Sequence, residues 1–290
     1  MESTDRSQAA LSHAARALRN VTEPLAAGVY FAPEAHEGYS DLGLNYFEGY
    51  FCSRGACLGP APWSVVAAAF AAFKPAAVQT AVTAGWEKAT PAQLLSAREH
   101  GASAQLERLI GGLAEPAAVE RATEILFDMT DGIDPSGRAL FAGLSVLDRP
   151  TSPLGALWRA ADLVREHRGD GHIAAWIPHL DSTEITVMTE LAWGIPARSY
   201  VFTRGWSEPD VDAAYARLID RGLIAEGALT ARGTELRDHI ELTTDLATRT
   251  VMERLGDRHT ELIALLKPWS AAVVDGGGYP TSPKNLQVTG

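Results

Sequence analysis

The densest run of side chains able to do acid–base chemistry lies at positions 165–172 and reads Arg-Glu-His-Arg-Gly-Asp-Gly-His. A carboxylate that holds an imidazole in one orientation favours its action as a general base, and a neighbouring guanidinium can bind an anionic group. The run therefore predicts His172 as a catalytic base, Asp170 as its orienting partner and Arg168 as an anion contact. His167 is a further candidate catalytic residue.

Other interpretations of this run stay open. The glycines Gly169 and Gly171 permit a sharp turn or the close approach of a ligand to the backbone. His167 and Arg168 would also suit the last turn of a helix, where cations complement the helix dipole. The two imidazoles and the carboxylate have the composition of a facial metal triad. Their spacing matches no known ligand arrangement, so we predict no metal.

A second candidate wall of a binding site is the aromatic segment that leads to Arg54. Its rings are Tyr30, Phe31, Tyr39, Tyr46, Phe47, Tyr50 and Phe51. Aromatic residues at this density are typical of a hydrophobic core, and they can also line an apolar pocket for a planar ligand. In the second case Tyr50 lines the pocket, Arg54 and His36 are its polar contacts, and Arg54 joins Arg168 as an anion contact.

The elements that must position these residues are mainly α-helices. Apolar residues recur at helical spacing over most of the chain. Prolines stand where the first turn of a helix tolerates them, at positions 24, 33, 62, 75, 91, 116 and 153. Strand signals are confined to residues 200–203 and to two short runs around Gly227. The predicted fold class is therefore mainly α, with a short β-wing in the C-terminal half.

A turn-rich stretch near residues 148–152 suggests a domain boundary. It divides the chain into a helical domain, 1–150, a second domain, 151–275, and a loosely held tail, 276–290. One motif, Tyr-x-x-Ser/Thr-Arg-Gly, occurs in both halves, beginning at Tyr50 and at Tyr200. This similarity predicts a degenerate second copy of the C-terminal unit in the N-terminal half, although Ala-rich helices also match by chance.

The C-terminal half resembles a known class of proteins. A capped helix begins near Asp181, a second helix ends at Gly222, and residues 217–233 read RLIDRGLIAEGALTARG. This string resembles the recognition helix, two-stranded wing and closing turn of MarR-like winged-helix proteins. The whole chain is similar, over most of its length, to an actinobacterial winged-helix family. The resemblance implies a winged-helix unit and, as one function, a ligand-responsive regulator that binds DNA as a homodimer.

The charges disfavour DNA as a partner. The net charge is −11, whereas DNA-binding domains usually present a basic face. The wing tip, residues 225–228, has no positive charge. The helix in the recognition position carries four acids against two arginines: Glu208, Asp210, Asp212 and Asp220, against Arg217 and Arg221. A regulator would need Arg198, Arg204, Arg217 and Arg232 gathered in one stripe.

The remaining features exclude several classes. The cysteines Cys52 and Cys57 are too few for a structural zinc site. Nucleotide-binding and common hydrolase motifs are absent from the sequence, so we predict no cofactor. The most apolar stretch, 65–73, is too short to span a bilayer, and we expect a cytoplasmic protein with no membrane partner. The favoured function is a winged-helix protein that binds a small organic molecule and acts as an acid–base enzyme. A MarR-like DNA-binding regulator and a non-catalytic interaction protein are the alternatives.

Overall fold

Residues 2–280 are described in the computed structural model, with side chains from residue 8 onward. Helices dominate this part of the chain, and its sheet is a two-stranded antiparallel hairpin. The predicted fold class is confirmed. The elements are α1 (Glu2–Ala27), α2 (Pro33–Asp41), α3 (Tyr46–Gly55), α4 (Trp63–Phe70), α5 (Pro75–Lys88), α6 (Pro91–Ile110), α7 (Pro116–Asp128), α8 (Ala139–Ser145), α9 (Pro153–Trp176), α10 (Ser182–Trp193), α11 (Glu208–Asp220), β1 (Ile224–Ala225), β2 (Ala228–Leu229), α12 (Ala231–Leu246), α13 (Arg249–Leu255) and α14 (His259–Asp275).

Local sequence explains where most of these helices begin. Helices α2, α5, α6, α7 and α9 each begin at a proline, because the fixed φ of proline suits a first turn. The side chains of Thr90, Ser152 and Asp181 cap α6, α9 and α10. Pro24 departs from the prediction, since it lies inside α1. None of the described helices is long and apolar enough to cross a membrane.

The winged-helix unit consists of α10, α11, the β1–β2 hairpin and α12. In the wing, Ile224 pairs with Leu229, and Ala225 pairs with Ala228. The two residues of its turn, Glu226 and Gly227, have φ values of 51° and 77°, as a two-residue hairpin with the right-handed twist of β-strands requires. The wing is therefore short, as the sequence predicts.

The predicted strand at residues 200–203 does not form, and the chain makes turns and a short 3₁₀-helix there. The cause is the buried carboxylate of Glu190, which accepts the backbone N–H groups of Arg198 and Val201 at 3.0 and 2.7 Å. These bonds hold the segment as a tight loop. The matching motif at Tyr50 lies in helix α3 instead, so the two copies differ in local structure. A second copy of the unit stays a prediction.

Helix α9 contains no sharp turn around Asp170, which was one of the two arrangements that the flanking glycines permit. It continues without a break from Pro153 to Trp176, through both glycines. A Cβ atom on Gly171 would lie 2.8 Å from Arg138 Nη1 and 3.1 Å from the Cβ of Ala247. Gly171 therefore serves the close approach of neighbouring groups to the helix, and not a turn.

Two hydrophobic cores hold the molecule together. The larger core joins helices of the N-terminal half to the first part of α9 and to α13 and α14. The smaller core lies inside the winged-helix unit and includes the last part of α9. Because α9 contributes to both cores, it connects them rigidly. The predicted division near residue 150 stays a prediction.

The predicted loose tail is only partly described, since residues 281–290 lie outside the described residues. The part before them is held. Tyr279 packs edge-on against Phe31, with ring centroids 5.8 Å apart, and the carbonyl of Gly278 accepts a hydrogen bond from Gln105. The loosely held tail over residues 276–290 stays a prediction.

Candidate ligand-binding cleft

A cleft of about 550 Å³ lies between the N-terminal half and the winged-helix unit. Its N-terminal wall comes from α1, α3 and the end of α4, its floor from α9, and its other wall from α10, α12 and the loop before α11. This volume is within the range of small-molecule sites. The cleft gathers four of the predicted site residues, namely Tyr50, Arg54, Arg168 and His172.

His172 projects from α9 into this cleft, but its partner is not the predicted one. Its Nδ1 lies 2.9 Å from the hydroxyl of Thr244. That hydroxyl donates its single proton to the carbonyl of Ile240 at 2.8 Å. The tautomer that satisfies both contacts carries its proton on Nδ1 and donates it to Thr244, which leaves Nε2 as an acceptor. Burial lowers the pKa of His172 to about 4, so its ring is neutral at pH 7.

Asp170 does not orient His172, which corrects the predicted pair. Residues two apart on a helix face different directions, and Asp170 instead accepts the backbone N–H of Phe141 at 3.0 Å. Burial raises the pKa of Asp170 to about 6. His167 is also buried, with its ring edge-on to Phe141 at 5.0 Å, and burial lowers its pKa to about 3. It reaches only a smaller neighbouring pocket of about 150 Å³.

Arg54 and Arg168, the predicted anion contacts, are already paired with carboxylates. Arg54 donates from Nε and Nη2 to both oxygens of Glu166, at 2.9 and 2.7 Å. Because of these contacts, the pKa of Glu166 stays well below its usual range despite burial. Arg168 donates to Asp245 at 2.7 Å and lies 3.4 Å from Glu241. Their charges are neutralised locally, so both arginines shape the cleft wall more than they attract an anion.

The other two predicted ligand contacts, Tyr50 and His36, lie in different places. Tyr50 lies on the cleft wall, and its hydroxyl is 3.5 Å from Arg54 Nη1. His36 lies on α2, where its Nε2 is 3.0 Å from the carbonyl of Tyr30 and its ring is edge-on to Tyr46. His36 lines neither of the two pockets that Tyr50 lines, and its role as a ligand contact stays a prediction.

No group of three metal-ligating side chains occurs within the described residues. Cys52 and Cys57 are both buried with free thiols. Burial raises the pKa of each thiol to about 12, so neither is a reactive thiolate at neutral pH.

The sequence-based search missed a set of aromatic residues and one arginine on the cleft wall. Phe73, Trp193 and Tyr200 line it together with Arg204. The guanidinium of Arg204 lies 4.7 Å from the ring of Phe73 and 4.1 Å from that of Tyr200. The repeated Tyr-x-x-Ser/Thr-Arg-Gly motif was a signal for Tyr200 and Arg204, because both of its tyrosines and both of its arginines line the cleft.

The face of α11 that would meet DNA is acidic, and the start of this helix packs against the N-terminal half. The exposed arginines near α11 are neutralised, since Arg198 pairs with Glu208 and Asp212, and Arg217 with Asp181 and Glu184. The start of α11 is held against the N-terminal half. There Lys74 pairs with Asp210, and Trp206 donates its indole N–H to the carbonyl of Ala72 at 3.0 Å.

The arginine stripe that a regulator would need does not form. Arg204 lies in the cleft between two rings, and Arg198 and Arg217 are in separate ion-pair clusters. Arg232 is exposed on α12.

The fold and the wing together define a mainly α protein with a winged helix-turn-helix unit. The sequence model of a helix-turn-helix family matches residues 15–280, and the chain belongs to this family. No curated protein matches the chain, and no solved structure matches it. The match extends over the N-terminal half as well as the winged-helix unit, and the matched range includes the residues that line the cleft.

Proposed function

We propose that this chain is a ligand-binding helix-turn-helix protein whose site is the cleft between the N-terminal half and the winged-helix unit. The observation that carries the proposal is the cleft itself, with about 550 Å³ of space and walls from both cores. Its wall combines aromatic rings with a few fixed polar groups, the composition expected of a small-molecule site.

His172 has a defined role in this proposal. Its Nδ1 proton is committed to Thr244, so its unprotonated Nε2 is the acceptor available to a hydroxyl or amide of the ligand. We do not extend the proposal to acid–base catalysis. A histidine with a pKa of about 4 is a weak base at neutral pH, and Asp170 does not contact it.

A substitution that fills the cleft tests this proposal. Gly169 lines the cleft, and a Cβ atom there would meet only a carboxylate oxygen of Glu166, at an ordinary 3.5 Å. Gly169→Leu should therefore occupy cleft space without breaking α9, and Gly169→Ala is the matched control. The probe is 8-anilinonaphthalene-1-sulfonate, whose fluorescence rises when it enters an apolar site.

We expect saturable binding of this probe to the wild type and to Gly169→Ala, and binding weakened at least about tenfold in Gly169→Leu, which is roughly 1.4 kcal/mol. Circular dichroism and the melting temperature verify that both variants fold. Equal binding by all three proteins would place the probe elsewhere and refute the cleft as the site.

A DNA-binding, ligand-responsive regulator is the second candidate, and the family match favours it. In this form of the proposal the ligand acts on the recognition position. Arg204 lies in the cleft, and its carbonyl accepts the backbone N–H of Lys74 at 2.9 Å. That bond is close to the contacts that hold the start of α11. A ligand beside Arg204 would therefore shift the position of α11.

Fluorescence anisotropy with random-sequence duplex DNA tests the regulator. Phosphate contacts would give affinity that falls by orders of magnitude between about 50 and 200 mM salt. Such a fall would support a regulator and justify a search for its operator. No binding at about 50 mM salt would exclude DNA as a general partner, as the acidic face of α11 leads us to expect. A homodimer stays a prediction, for which light scattering is the measurement.

A further inference from the structure

One end of the cleft is a separate aromatic chamber of about 160 Å³. Nine of its fourteen lining residues are aromatic, including Tyr50, Phe73, Trp193 and Tyr200. The rings are already packed on one another, with centroids 5.6 Å apart for Tyr50 and Phe73, and 5.5 Å apart for Trp193 and Tyr200. The chamber is therefore preformed, which reduces the entropy that a ligand must overcome.

The volume of the chamber is close to that of one aromatic ring. A dry cavity of about 150 Å³ in another protein holds one benzene molecule. The chamber offers slightly more, about 160 Å³, which suits one six-membered ring with a small substituent. A flat ring can also stack on aromatic side chains or meet them edge-on.

The charge of the chamber identifies the substituent. Its charged lining residues are Arg165, Arg204 and Glu23. Arg165 is neutralised, because it lies 3.2 Å from Glu23 and 2.7 Å from Glu166. Arg204 has no carboxylate partner within the described residues. The unpaired charge in the chamber is therefore positive, which excludes the organic cations that aromatic cages otherwise bind.

Arg204 is also held in a position to use its charge. Its guanidinium lies between the rings of Phe73 and Tyr200, and its Nη1 donates to the hydroxyl of Thr203 at 3.2 Å. No hydrogen bond within the described residues occupies its Nε or Nη2. A planar fork of N–H donors fixed in this way matches the two oxygens of a carboxylate.

We propose that the aromatic chamber binds a single-ring aromatic carboxylate, and that Arg204 contacts its carboxylate group. This inference rests on the proposed ligand-binding function and names the ligand class and the contact residue of the same cleft. The ring stacks among Tyr50, Phe73 and Trp193.

Isothermal titration with benzoate tests the proposal. Benzamide keeps the shape and removes the charge, cyclohexanecarboxylate keeps the charge and removes the flat ring, and benzyltrimethylammonium carries the opposite charge. We expect benzoate to bind more tightly than each of the three. Arg204→Gln should weaken benzoate by about tenfold to a hundredfold, the effect of losing a charged hydrogen bond. It should change benzamide binding by less than about twofold.

The matched control is Arg232→Gln, which removes an exposed arginine on α12 outside the chamber and should leave benzoate binding unchanged. Equal affinity of wild type and Arg204→Gln for benzoate would overturn the role of Arg204. Tighter binding of benzamide or of the cation would overturn the ligand class. If benzoate does not bind while 8-anilinonaphthalene-1-sulfonate still binds in the cleft, this inference alone is refuted. If neither compound binds, the proposed ligand-binding function of the cleft is refuted as well.

Discussion

The stability of the protein should fall steeply in mild acid, and His167 should be a principal cause. Its side chain is 2% exposed and lies edge-on to Phe141. Burial, assisted by the charge of Arg138, lowers its pKa from 6.5 to about 3. Between these two values the unfolded chain binds a proton that the folded chain does not bind. The stabilisation is therefore complete above pH 6.5 and decreases as the pH falls toward 3.

The size of the effect at pH 5 follows from the difference between the pH and the unfolded pKa. That difference is about 1.5 pH units, and each unit corresponds to about 1.4 kcal/mol, so His167 should cost roughly 2 kcal/mol of unfolding free energy on going from pH 7 to pH 5. His172, whose pKa is lowered to about 4, acts in the same direction. Asp170, whose pKa is raised to about 6, acts in the opposite direction and offsets part of the loss.

A difference measurement isolates His167 from these neighbours. Urea unfolding at pH 7 and pH 5 is compared between the wild type and His167→Leu. His167→Gln serves as a second variant that keeps a polar side chain without a titrating group. Both variants should lose about 2 kcal/mol less than the wild type between the two pH values, whatever their stability at pH 7. An unchanged pH dependence in both variants would show that His167 is not held neutral by burial, and the reasoning would be refuted.

Two further predictions concern helix α9. Glu166→Gln should lower the unfolding free energy by roughly 3–5 kcal/mol, because it leaves the largely buried guanidinium of Arg54 without a carboxylate. Arg54→Met should lower the unfolding free energy by less, since Glu166 keeps Arg165 as a second partner. Urea unfolding at pH 7 compares the two, and a larger loss for Arg54→Met would contradict the assignment. Gly169→Ala should raise the melting temperature, being worth about 0.5–1 kcal/mol in a helix. Gly171→Ala should lower it because its Cβ would lie 2.8 Å from Arg138 Nη1, and equal shifts would refute the packing described there.

The acidic face of α11 has a structural explanation that does not involve DNA. Glu208 and Asp212 pair with Arg198, and Asp210 pairs with Lys74 and accepts the backbone N–H of Ser207 in a capping box. Carboxylates in the first turn also complement the helix dipole. These interactions orient the helix within its own chain, and they leave the family's fold usable for a ligand site at the base of the same helix.

The local sequence determined most of the secondary structure. Prolines and capping residues specify the start of a helix through the backbone of their own turn, so α5, α6, α7, α9 and α10 begin where the sequence predicts. The wing was predictable for the same reason, because Glu226 and Gly227 alone satisfy its turn. The composition also predicted a mainly α protein, since apolar residues repeat at helical spacing.

The tertiary structure alone decided which of the polar residues form a site. Asp170 and His172 are two positions apart in sequence, yet the continuous helix α9 directs one to Phe141 and the other to Thr244. The sequence does not show which carboxylates neutralise Arg54 and Arg168. Long-range packing pairs them with Glu166 and Asp245. Within the described residues Arg204 has no carboxylate partner, because the loop before α11 places its guanidinium against two rings from different parts of the chain. Local propensity acts over one or two turns, whereas the pairing of a charge depends on which side chains the fold brings to it from far along the chain.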